Sequence, residues 1–131
     1  MQPKAHPAIA AQHYRMLELK SRVESAGPHA LVGLLYEELI RSLDLTLASL
    51  RKAQSLSGSA HISKALSILI ALEGSLDFEK GGDLASTLSH IYHACRVAIN
   101  EAAKAEDMQK LSEVRQAIST IAYAWQGLSD T

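Results

Sequence analysis

His90 and His93 stand three residues apart in a segment whose apolar spacing predicts a helix, and residues so spaced can share one metal ion. Both fall on the polar side of that helix, away from the line of Leu88, Tyr92 and Cys95, and no third ligand is evident. Helical bundles that hold paired iron use Glu-x-x-His motifs on inward faces. No glutamate here is followed by a histidine three positions later. Neither a metal nor another cofactor is expected. Cys95 lies within an apolar stripe, where a thiol serves as a small core group. A nucleophilic thiol needs an adjacent base and an electropositive setting, whereas His93 and Arg96 point to other faces. As the one cysteine, Cys95 can form no internal disulfide, which fits a reducing cytoplasm. There is no glycine-rich phosphate loop and no serine elbow. No catalytic residue is expected.

One further pattern competes for a chemical reading. His61-Ile62-Ser63-Lys64-Ala65 resembles the His-x-x-Lys-Gly pattern of histidine phosphotransfer domains, which are also helical bundles. In those domains the histidine is exposed in mid-helix and the glycine lets a partner approach. Here Ala65 replaces the glycine, and His61 follows Ser57-Gly58-Ser59 at a helix start. Phosphotransfer through His61 stays as an alternative function, beside a non-enzymatic adaptor bundle.

These residues must be positioned by helices. The 131-residue chain is 47% hydrophobic but only 5% aromatic, with prolines confined to positions 3, 7 and 28. Long proline-free stretches rich in Ala and Leu favour an α-helical bundle, and the length fits one domain. The formal charge is −1, without a basic stripe, so nucleic acid is not an expected partner. No apolar run reaches the roughly 18 residues of a membrane span, and the one at 8–11 is too short for a secretory signal.

Turn chemistry divides the chain. A short amphipathic helix is predicted over about Ala8–Lys20, showing Ile9, Tyr14 and Leu17. Gly27-Pro28 then starts a long helix that runs to about Leu56, where Ser57-Gly58-Ser59 ends it. A second long helix follows over about Ala60–Leu76. Asp77–Gly82 form a turn, with Gly81-Gly82 as its breaker. The third spans about Asp83–Ala105, and Asp107 caps a fourth that reaches about Gly127. Short connections imply an antiparallel up-down four-helix bundle with a short extra N-terminal helix. The expected division is a mobile segment over 1–24, the bundle over 25–128 and a tail over 129–131.

Three of the long helices carry an ordinary apolar stripe. Ile62, Leu66, Leu69, Leu72 and Leu76 form one. Leu84, Leu88, Ile91, Tyr92, Cys95, Ile99 and Ala102 form the next, and Leu111, Val114, Ile118, Ile121, Trp125 and Leu128 the last. The first long helix is different. Its apolar residues between Leu31 and Leu47 spread over roughly 240°, more than one core-facing stripe needs. Either this helix is central and covered on most sides, or part of its surplus forms an open groove.

In order and at the right intervals, several short motifs resemble the flagellar secretion chaperones of the FliS family over Tyr14–Gln126. Leu76-Asp77-Phe78-Glu79-Lys80-Gly81-Gly82-Asp83-Leu84-Ala85 is close to that family's Leu-Asp-x-Glu-Lys-Gly-Gly-Glu-Ile-Ala. Ser63-Lys64-Ala65 matches its Ser-Lys-Ala helix start, which claims the His61 motif for a structural helix. Leu35-Tyr36-Glu37-Glu38 stands where the family has Leu-Tyr/Phe-Asp-Gly, so Glu38 replaces a glycine. Tyr14, Ala26-Gly27-Pro28, Ile91-Tyr92, Glu113-Val114 and Ala124-Trp125 complete the pattern. The resemblance implies a cytoplasmic, non-enzymatic chaperone whose partner is the disordered C-terminal region of flagellin, held in apolar grooves until export. On that reading the groove residues are Leu31, Leu34, Tyr36, Ile40, Ile91 and Tyr92, with Tyr14 as a displaceable plug. Export-gate components are possible further partners, and the free chain is a monomer or weak homodimer.

Overall fold

Every helix after the first starts at a residue suited to the unpaired N–H groups of a first turn. In a computed structural model, which describes residues 7–52 and 59–128, the helices are α1 (Pro7–Ser25), α2 (Pro28–Arg51), α3 (Ala60–Gly74), α4 (Phe78–Ala105) and α5 (Met108–Gln126). Pro28 occupies the first turn of α2, where its missing N–H costs nothing. The Ser59 hydroxyl accepts from the His61 N–H at 3.1 Å and so caps α3. Asp77 accepts from the Glu79 and Lys80 N–H groups, both at 3.0 Å, to open α4. Asp107 does the same for Lys110 at the start of α5.

The boundaries depart from expectation in three places. Nothing in the sequence stops α1 before Gly27-Pro28, so it runs to Ser25 instead of about Lys20. The first long helix ends at Arg51, and its expected end near Leu56 lies outside the described residues. The expected turn at 77–82 is instead one helical turn leading into a kink at Gly82, where φ is 49° and ψ −123°. A side chain is strained there, so glycine belongs. At Gly81 the reason is close approach, since a Cβ would lie 2.9 Å from the Ala85 Cβ.

α2 packs on α3 and α5, and α4 packs on the same two helices, so the four form a ring with α2 diagonal to α4. Directions alternate: His29 meets Trp125 while Asp44 pairs with Arg115, which requires α2 and α5 to be antiparallel. Within the ring Tyr36, Leu39, Leu43, Leu69, Leu72, Tyr92, Ile99, Leu111 and Ile118 are almost wholly buried. Each such side chain contributes about 1.5–3 kcal/mol. α1 stands outside this ring. It is tied to α2 by Arg15 to Glu38 and Arg22 to Glu37, and Leu19 on it is half-buried. The fold is all-α, as the sequence predicted, and no described helix is long and apolar enough to cross a membrane.

Candidate functional site

The residues with chemical potential do not converge. His90 and His93 are both exposed on α4, and the His90 ring nitrogen Nδ1 bonds the Ser86 carbonyl at 2.8 Å. Among the described residues no three His, Cys, Asp or Glu side chains are grouped as a metal site. Cys95 is buried, and burial pushes its thiol above the ordinary value, away from the reactive thiolate. His61 is half-buried in the first turn of α3, and the Lys64 ammonium donates to Glu38 at 3.1 Å.

What the bundle does present is two clefts at one end, back to back. The ends of α1 and α5 and the start of α2 enclose a cleft of about 510 Å³, lined by Arg22, Ala30, Gly33, Leu34 and Ala122 among others. The start of α2, the α3–α4 connection and the end of α5 enclose the second, about 550 Å³. Its lining is mainly apolar, with Val32, Leu76, Leu84, Leu88, Tyr92 and Leu128. Lys80 and Asp77 mark its rim.

His29 and Trp125 line both clefts and form the wall between them. Their rings stack at 4.8 Å with a 12° interplanar angle. The indole Nε1–H donates to the His29 carbonyl at 2.9 Å, and the His29 Nε2 donates to the Trp125 carbonyl at 2.9 Å. Tyr36 meets the same indole edge-on at 6.1 Å. This reciprocal pair closes the first turn of α2 against the last turn of α5.

The expected groove residues divide under this geometry. Leu34 is buried and floors the first cleft; Tyr92 is buried and floors the second. Tyr36 is fully buried and lines neither, because its hydroxyl meets that of Tyr92 at 2.5 Å across the diagonal of the bundle. Burial raises the pKa of both phenols, so the pair stays neutral. Ile40 and Ile91 are half-buried against the core, and Leu31 stands on the outer side of α2. Tyr14 is 72% exposed on α1, so in this conformation it fills no groove.

Sequence reasoning assigned Leu84 and Leu128 to the core, whereas they are 53% and 50% exposed. Both lie at the ends of their stripes and line the second cleft. The stripe ends were the available signal. Glu38 was also missed as a buried group. Arg15 from α1 and Lys64 from α3 converge on its carboxylate, which explains how a charge sits on an apolar flank of α2.

Known proteins resemble the chain over nearly its whole length. The family described as flagellar protein FliS matches residues 10–131. A flagellar secretion chaperone FliSB of Pseudomonas aeruginosa is 28% identical over 120 residues, covering 92% of this chain and 95% of that protein. The flagellar secretion chaperone FliS of Salmonella typhimurium is 30% identical over 125 residues, covering 95% and 93%. Its namesake in Vibrio cholerae is 31% identical over 114 residues, covering 87% and 84%.

Proposed function

The chain belongs to the FliS family of flagellar proteins, and from that premise we propose that it is an export chaperone holding the C-terminal region of a flagellin. The observation that carries this reading is the pair of clefts, with Leu84 and Leu128 half-exposed beside the apolar one. A disordered segment that folds on binding loses about 2–5 kcal/mol in ordering itself. Each client Leu, Ile, Val or Phe fully buried returns about 1.5–3 kcal/mol. A few such side chains therefore suffice, and the clefts have room for them.

The work is mechanical. While its helix-forming segment is held, the flagellin cannot pair with other subunits, and the rest of the chain stays unfolded enough to export. No bond is made or broken and no cofactor takes part. The action belongs to the cytoplasm, ahead of the export gate, whose components recognise the loaded complex. Leu34 and Tyr92 act as cleft floors. Leu31, Ile40 and Ile91 extend the apolar surface along α2 and α4, and Tyr36 acts from beneath by holding Tyr92. Because Tyr14 points to solvent, any covering role falls to the inner side of α1, where Arg15 and Leu19 lie.

Titration calorimetry of the full chain with flagellin from the same genome, at several temperatures, tests the assignment. Tight binding with a strongly negative heat-capacity change is expected. Absence of binding, both to full-length flagellin and to its C-terminal region, removes it.

A further inference from the structure

A turn of client helix with its side chains is a cylinder about 10–12 Å across and 5.4 Å long, or roughly 420–610 Å³. Each cleft, at about 510 and 550 Å³, therefore matches a single turn. A single turn is a poor unit of helix, because nucleation fixes several residues for one hydrogen bond. Two adjoining turns in one channel would be a far better seat. His29 and Trp125, whose rings stack, are the two residues that line both clefts.

Gly33 bears on whether that wall can move. It lies inside α2, where glycine is less favourable than alanine. Its backbone φ is ordinary and no backbone neighbour crowds it, so neither turn geometry nor close approach explains it. A Cβ built there would meet one neighbour within 4 Å, the Trp125 Cδ1 at 3.9 Å, which is ordinary contact. An alanine would thus be tolerated with the indole where it is. The missing methyl matters for another position of the ring, because Gly33 lines the first cleft directly beside the indole.

We propose that Trp125 is a gate between the two clefts, swinging off His29 and over Gly33 as a client helix seats, so that the clefts become one channel. Gly33 is the track for that movement. The stack and the two 2.9 Å hydrogen bonds hold the gate shut in the unloaded protein. The inference rests on the chaperone reading, since the gate opens for that client.

The test uses the full chain and a tryptophan-free C-terminal region of flagellin. Trp125 is the one tryptophan, so emission reports the surroundings of that ring, and a rise in quenching separates a ring swung outward from one merely covered by client. Client binding to the wild type should shift that emission and raise its quenching by acrylamide. Gly33→Ala should melt no lower than the wild type, yet bind the client about tenfold more weakly. His29→Ala, which removes the stacking partner, should associate with the client faster than the wild type, and keeps the test decisive if Gly33→Ala folds poorly. Wild-type binding with unchanged emission, or Gly33→Ala binding as tightly as the wild type, overturns the gate and leaves the chaperone reading intact. A wild type that binds no flagellin overturns both.

Discussion

Tyr36 and Tyr92 share one hydrogen bond across the middle of the bundle, and nothing else polar reaches either hydroxyl in the hydrogen bonds described. Removing one hydroxyl leaves the other buried and unpaired, which costs about 1–3 kcal/mol, whereas removing both leaves no orphan. Tyr92→Phe or Tyr36→Phe alone should therefore destabilise the protein in urea denaturation by more than half of what the double variant loses. A double variant whose loss equals the sum of the two would mean that the hydroxyls act independently. The sequence put Tyr92 in the core-facing stripe of α4 and Tyr36 in the apolar surplus of α2, and could not say which way Tyr36 faces. A helix with apolar residues over most of its circumference fits several rotations, and the partner that selects one lies 56 positions away. Glu38 hides for the same reason, since its two cations come from other helices.

At the scale of elements, local chemistry did most of the positioning. Pro28 and Asp107 open their helices where the sequence placed them, whereas Asp77 opens α4 where a turn was expected and Ser59 caps α3 from a stretch read only as the end of the helix before it. Helix ends were less legible, because they depend on which tertiary contacts remain available. The Gly81-Gly82 pair read as a breaker and acts as a kink. It lets Phe78–Gly81 form a separate turn above the second cleft before the rest of α4 enters the bundle. Gly82→Ala should cost about 1–3 kcal/mol through strain at its positive φ, measured as a lower urea midpoint, and should weaken client binding beyond that loss by shifting the cleft rim. An unchanged midpoint would show that the kink is not required. α1 is different, since its ties to α2 are two ion pairs: Arg22–Glu37 is exposed and worth about 0–1 kcal/mol, while Arg15 meets a buried Glu38 that Lys64 still holds when α1 is gone. A chain beginning at Ala26 should still unfold cooperatively, with a stability loss of no more than about 2 kcal/mol. Failure of that shorter chain to fold would make α1 a structural member of the bundle.

The molecule as a whole ties its helix seams with ion pairs, one of which, Arg22 with Glu37, lines the first cleft, and keeps both clefts at one end. Asp44 with Arg115, Glu73 with Arg96 and Glu101 with Lys110 each join two neighbouring helices. These three pairs lie away from both clefts. The surplus of apolar helical surface was visible in the sequence, but its location was not. Periodicity placed the excess along α2, whereas the structure leaves exposed apolar side chains on several helices, Ile70, Val97 and Tyr123 among them, with Leu84 and Leu128 lining the second cleft. Amide hydrogen exchange, comparing the free chain with the flagellin-loaded chain, tests this placement most directly. Protection should rise over residues 28–34, 76–88 and 122–128 and change little along the middle of α3. Protection gained instead on the outer faces of α3 and α4, with the cleft residues unaltered, would contradict the account.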